Sequence, residues 1–177
     1  MKPGKRAPRP RLYLTRMGWL PLLPRDAEKV ERALTTVPAE VAVLRGGGVV
    51  RCRPALAAAL AIWLDDMWET ARRRAPAGCP PRRGVIVATS AYRPWGTSCG
   101  LGTPFADPVG ALDSHDEWGH WSGWAIDVPT RYTRETFTPV VTIRECWDAA
   151  RRAGLIKPFR DEYWHWRPAV IPQEGGE

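Results

Sequence analysis

The stretch His120-Trp121-Ser122-Gly123-Trp124-Ala125-Ile126-Asp127 sets an imidazole and a carboxylate seven residues apart, with small residues at 123 and 125. Downstream, Glu162-Tyr163-Trp164-His165-Trp166 adds a second imidazole and a carboxylate three residues before it. The chain has three histidines in all, so histidine-based chemistry can draw only on His115, His120 and His165. Two His and one Asp make a three-ligand set for Zn²⁺ that leaves the fourth tetrahedral position to water. Glu162 would then supply the carboxylate that takes a proton from that water. Nitrogen and oxygen donors of this borderline kind suit Zn²⁺ better than Mg²⁺ or Ca²⁺. Alone, a His and an Asp seven apart say little, because a single His is more often a hydrogen-bonded structural residue.

Outward from these stretches, the pattern is mixed. Asp26 can cap a short helix running to about Thr36, ahead of Pro38. Val41–Leu44 and Val49–Arg53 are β-rich runs on either side of Arg45-Gly-Gly-Gly48, which reads as a hairpin or tight loop. Pro54 suits the first turn of the longest helix, about Ala55 to Arg74. Leu56, Leu60, Trp63, Leu64, Met67, Trp68 and Ala71 recur there at helical spacing and define one core-facing stripe. Pro76 to Gly84 reads as a loop, and Gly84 to Ser90 as a buried strand. Ala91 to Gly119 has little periodicity, and loops of that length are uncommon in compact domains unless functional. Trp124 to Val128 suggests another strand, Thr138-Pro139 the opening of a second helix that Gly154 stops, and Tyr163 to Arg167 a last strand. Helices and strands in this irregular order predict an α+β fold, with helices packed on a small, largely antiparallel sheet.

Composition narrows the function classes. With 177 residues, 44% hydrophobic and 25% charged, the chain is long and apolar enough for one well-filled core and is not a disordered polymer. The longest apolar stretch, Ala55 to Leu64, runs into Asp65 and Asp66, so no membrane span is expected. The net charge of +7 invites a nucleic-acid reading, but residues 1–16 hold Lys2, Lys5, Arg6, Arg9, Arg11 and Arg16 with no acid. The rest of the chain is nearly neutral, so no specific nucleic-acid surface is expected within the fold. The expected organisation is a basic, disordered tail at 1–16, a single domain over 17–172 and a frayed end at 173–177, as a monomer. The tail would at most adhere to polyanions. The segment Leu12–Leu23 is broken by Arg16 and Pro21, and no small-residue cleavage site follows, so no signal peptide is expected. Cys52, Cys79, Cys99 and Cys146 show no C-x-x-C spacing; two disulfides in any of three pairings, or buried free thiols, remain open.

Three spaced motifs then coincide. Ser90-Ala91-Tyr92-Arg93, His-x-x-Gly-x-Ala-x-Asp at 120–127 and Glu-x-x-His-Trp at 162–166 stand in the order found in the zinc D-alanyl-D-alanine peptidases of the VanY/VanX type, and from about Arg51 to Pro168 the chain resembles that family. The resemblance implies one Zn²⁺ per chain held by His120, Asp127 and His165. It makes Glu162 the catalytic base and Arg93 the group that positions substrate and stabilises developing negative charge. It implies a Hedgehog/DD-peptidase-like fold with the zinc in a cleft on a central antiparallel sheet. It also implies hydrolysis of a D-amino-acid-containing bond in a peptidoglycan stem peptide, as a D,D-carboxypeptidase, a D,D-dipeptidase or an L-alanyl-D-glutamate endopeptidase. His115 is the rival first ligand, but anchoring there puts Trp118 where the motif wants Gly. The chain has Trp118 where the family commonly has Ser, and no Gln in Pro94–Gly102. Cys99, Asp113, Asp116 and Glu117 also fall where substrate should lie. Action at the bacterial cell wall would call for phage-type release or a phage particle; a cytoplasmic dipeptidase is the other expectation. A non-catalytic zinc-bound module, used for wall binding or structure, is the alternative from a different class, and Glu162 is the residue such a module would not need.

Overall fold

The computed structural model describes residues 13–15, 18–20, 24–92, 120–158 and 162–170. Its longest element, α2 (Pro54–Arg74), begins at the expected proline. Leu56, Leu60, Trp63, Leu64, Met67 and Ala71 face inward, while Trp68 packs half-buried at the edge of the same core. Arg72, Arg73 and Arg74 close the last turn, where cations meet the negative end of the helix dipole. Against this helix lies α4 (Ile143–Arg152), whose buried residues are the small Cys146, Ala149 and Ala150. Small side chains let the two helices approach, and the Trp63 indole N–H donates to the Cys146 carbonyl at 2.9 Å.

The second helix starts later than the sequence predicts. Thr138 exchanges backbone hydrogen bonds with Arg82 and is thereby held in extended pairing. Thr142 opens α4 instead: its side chain accepts from the Glu145 N–H while Glu145 reaches back to the Thr142 N–H, a reciprocal capping box. Gly154, with φ +78°, follows as the expected stop. A short helix, α3 (Thr130–Arg134), was not expected; the Thr133 hydroxyl in it accepts from the Val87 N–H, and the Thr136 hydroxyl just beyond it accepts from the Val85 N–H. The first helix also differs. It spans Pro24–Arg32 (α1), and Thr35–Thr36 leave it as strand β3, consistent with the β preference of branched side chains.

Mixed helix and small sheet, an α+β arrangement, is what the described residues show. Among the described residues the strands fall into four small sheets. Tyr13–Thr15 (β1) pairs antiparallel with Gly18–Leu20 (β2). β3 pairs antiparallel with Arg51–Cys52 (β5), and Ala42–Leu44 (β4) pairs parallel with Ile86–Ala88 (β6). The Arg45–Gly48 segment is therefore a tight loop closed by one bridge, Val43 to Val49, and not a regular hairpin. Ile126–Asp127 (β7), His165–Pro168 (β9) and Leu155–Ile156 (β8) form an antiparallel sheet in the order β7-β9-β8. An antiparallel bridge from Ser90 to Asp127 ties the continuation of β6 to β7, linking the parallel pair to the three-stranded sheet. Pro38, Gly46–Gly48, Pro54 and Pro129 punctuate the chain at short intervals, which is why each strand is brief.

Cys52 and Cys146 are buried free thiols and Cys79 is an exposed one; Cys99 lies outside the described residues. Burial pushes both buried thiols up to about 12, which keeps them protonated and inert. No helix among the described residues is long and apolar enough to cross a membrane. The expected tail up to residue 12 and the end at 173–177 also lie outside the described residues.

Candidate metal centre

His120 opens a 3₁₀ turn, His120–Ser122, that delivers the chain into β7. Gly123 leaves this turn at φ +78°, a backbone region that only glycine enters without strain. A Cβ there would clash only with the mobile end of the Leu34 side chain, so the backbone angle and not packing is what calls for glycine. Asp127 ends β7 and stands directly opposite His165, the first residue of β9. Ahead of β9 the chain turns: the His165 N–H donates to the Glu162 carbonyl at 3.1 Å. In a regular strand, residues three apart face opposite sides, and this turn is what lets Glu162 and His165 share one.

The three side chains converge. Oδ1 of Asp127 lies 3.0 Å from Nε2 of His120 and 3.1 Å from Nδ1 of His165. The three ligand atoms fall within 4.8 Å of one another, and all three residues are buried. The edge of a tetrahedron of zinc donors is about 3.3 Å, close to both contacts. Nδ1 of His120 sits 2.8 Å from the Ala91 carbonyl, which can only accept, so this nitrogen donates. Nε2 then faces the Asp127 carboxylate, a contact that either a proton or a metal ion between the two atoms satisfies. The buried His120, Asp127 and His165 donor set could hold a metal ion such as Zn²⁺, and the Ala91 carbonyl orients the His120 ring.

Burying a carboxylate costs free energy unless it is paired. Burial pushes the Asp127 carboxyl up, but the hydrogen bonds and charges of His120 and His165 together outweigh it and hold the group well below the usual carboxylate range. Glu162 differs in exposure: its side chain is 45% exposed and its Oε2 lies 3.8 Å from Nδ1 of His165. It stands at the edge of the buried trio, where water can reach it. Trp166 belongs to the core, with its ring 5.2 Å from that of Trp63. Trp164 is half-buried and meets Tyr163 edge to face. Arg93 and the rival His115 lie outside the described residues, as do Trp118 and the acidic run at 113–117.

One contributor was not foreseen from sequence. Arg53, 8% exposed, donates from Nε to the Ser122 carbonyl at 3.0 Å, and its backbone N–H donates to the Gly123 carbonyl at 2.9 Å. Its guanidinium also lies 5.5 Å from the Trp124 ring centre. A buried cation thus pins the turn that carries His120. An Arg just before a helix proline carries no sequence signal of this kind.

Comparison with protein families, curated proteins and solved structures finds no match.

Proposed function

We propose that this chain is a zinc metallopeptidase hydrolysing a D-amino-acid-containing peptide bond of bacterial peptidoglycan. The observation that carries the proposal is the convergence of His120 Nε2, Asp127 Oδ1 and His165 Nδ1, with an exposed carboxylate, Glu162, beside them. Three protein ligands and an adjacent base are the makings of a hydrolytic metal site. When bound, Zn²⁺ supplies the Lewis acidity that makes water nucleophilic near neutral pH and polarises a carbonyl. Asp127 contributes negative charge that favours a dication. The Ala91 carbonyl orients His120, and Arg53 holds its turn. Glu162 accepts the proton from water and returns it to the departing amine, a role that suits a carboxylate open to solvent.

Arg93 is proposed to bind the substrate and the oxyanion. Its neighbours support this: Ser90 pairs with Asp127, Ala91 holds His120, and the Tyr92 N–H donates to the Arg51 carbonyl at 3.2 Å. The proposed substrate is a peptidoglycan stem peptide, the proposed fold relation is to the Hedgehog/DD-peptidase type, and the proposed site of action is the cell wall. Mass spectrometry of purified wall fragments, incubated with the zinc-loaded chain, tests the activity. Release of a D-amino acid or a cleaved stem peptide, absent with Glu162→Gln at equal zinc content, is the expected result. Intact fragments with the zinc-loaded wild type would instead leave a zinc-bound module without catalysis.

A further inference from the structure

The Arg45-Gly-Gly-Gly48 loop and the unexpected helix α3 meet at Tyr132. Arg45 donates from Nη1 to the Tyr132 hydroxyl at 2.6 Å, and Arg131 donates from Nη2 to the same oxygen at 2.5 Å. Both guanidinium groups also lie over the ring, 4.0 Å and 4.5 Å from its centre. A phenol oxygen accepts at most two hydrogen bonds, and here both come from cations. Its own hydrogen is thereby left to donate outward. Two exposed arginines and one hydroxyl thus present donors around one point, and among the described residues neither guanidinium forms an ion pair. Two like charges brought together repel, and an anion placed between them relieves that repulsion while gaining charge-assisted hydrogen bonds.

The place of this cluster gives the anion an identity. The Arg45 N–H donates to the Ala88 carbonyl at 2.8 Å, and the adjoining Thr89 N–H donates to the Asp127 carbonyl at 2.8 Å. The Arg45 main chain is therefore two strand spacings, about 10 Å, across the sheet from the main chain of Asp127. An extended peptide covers that span in roughly three residues.

We infer that Arg45, Tyr132 and Arg131 form an anion-binding clasp that takes a carboxylate of an acidic peptide, about three residues from the bond held at the metal centre. The peptide part rests on the peptidase proposal; the anion site itself does not. The direct test is nuclear magnetic resonance of the arginine Nε–H groups in zinc-loaded full-length chain carrying Glu162→Gln. It is titrated separately with succinate and with inorganic phosphate at constant ionic strength. Saturable shifts of Arg45 and Arg131 with succinate are expected in this chain, and the succinate affinity read from backbone amide shifts of residues 45–48 and 130–133 should weaken roughly tenfold or more in the Arg45→Gln/Arg131→Gln double variant. Shifts with phosphate alone would overturn the carboxylate assignment. No saturable shift, or equal affinity in the double variant, would overturn the clasp.

The second arm uses catalytically intact chain and a pair of stem peptides, one bearing a free side carboxylate and one amidated there. The acidic peptide should have the lower KM in wild type, and the double variant should erase the difference with kcat kept. Hydrolysis of both with equal KM in wild type would sink the clasp while leaving the peptidase standing. Succinate binding with no hydrolysis of either peptide would remove the peptidase and keep the anion site.

Discussion

Helices α2 and α4 meet through Leu, Trp, Met, Ala and Cys side chains, whereas β7 and β9 meet through Asp127 and His165, flanked by His120. Both contacts are buried, but they are stabilised differently. The helical contact gains from removing apolar surface from water, about 25 cal/mol per Å². The strand contact desolvates a carboxylate and two imidazoles, and recovers that cost only through mutual hydrogen bonds or a bound cation. The helical region should therefore fold the same way with or without metal. The strand region should owe much of its stability to it.

The most severe way to break this contrast is at the chemistry. Glu162→Gln should lower turnover of a wall peptide about 10²- to 10⁴-fold while zinc content stays at one per chain. His120→Ala and His165→Ala should instead lose zinc, seen by elemental analysis after dialysis. Equal rates for Glu162→Gln and wild type at matched zinc occupancy would take Glu162 out of the mechanism.

Next comes the helical contact. Trp63→Ala removes a fully buried indole and its hydrogen bond to Cys146, and should cost about 3–5 kcal/mol. At about 2–4 °C per kcal/mol for a chain of this size, the melting temperature should fall by on the order of 10 °C. The fall should be the same in zinc and in chelator. A loss that zinc restores would show that the two regions are not separable.

Arg53→Met tests the join between them. It removes the Nε contact to Ser122 and leaves the backbone bond to Gly123 in place. Zinc affinity, measured by competition with a chelating dye, should drop about 10- to 100-fold, the usual effect of losing outer support for a ligand. Unchanged affinity would reduce Arg53 to packing.

The smallest effect belongs to the capping box. Thr142→Ala should cost about 1 kcal/mol, a shift of about 2–4 °C by calorimetry, with zinc affinity untouched. A change in zinc affinity here would mean that the helical region strains the metal centre.

The same contrast explains what could be read in advance. The stripe on α2 was legible because helical periodicity is written in side-chain type, and Pro54 marks its start. The convergence of His120, Asp127 and His165 was legible because few residue types can hold a metal ion. The start of α4 was missed because Thr138-Pro139 offers the same local chemistry as Thr142. Only the pairing of Thr138 with Arg82, 56 positions away in sequence, decides between them. The parallel pairing of β4 with β6 was hidden for a similar reason: two short apolar runs do not reveal which neighbours they choose. Arg53 was hidden because its partners are main-chain carbonyls, which every residue carries.

That last point bears on how this protein would look to genetics. The hydrogen bond that selects the His120 tautomer ends on the carbonyl of Ala91, an atom that no ordinary codon change removes. A saturation scan would flag position 91 for side-chain bulk, since Ala91 is buried, but not for any chemical property. Control of the metal ligand would thus leave no polar hot spot of its own, and descendants of this gene could exchange residue 91 among small amino acids without disturbing it. An amide-to-ester replacement between residues 91 and 92, made by semisynthesis, would weaken that acceptor. Set against the same replacement in a His120→Ala background, where only loss of the Tyr92 N–H bond counts, it would expose a dependence that mutation conceals.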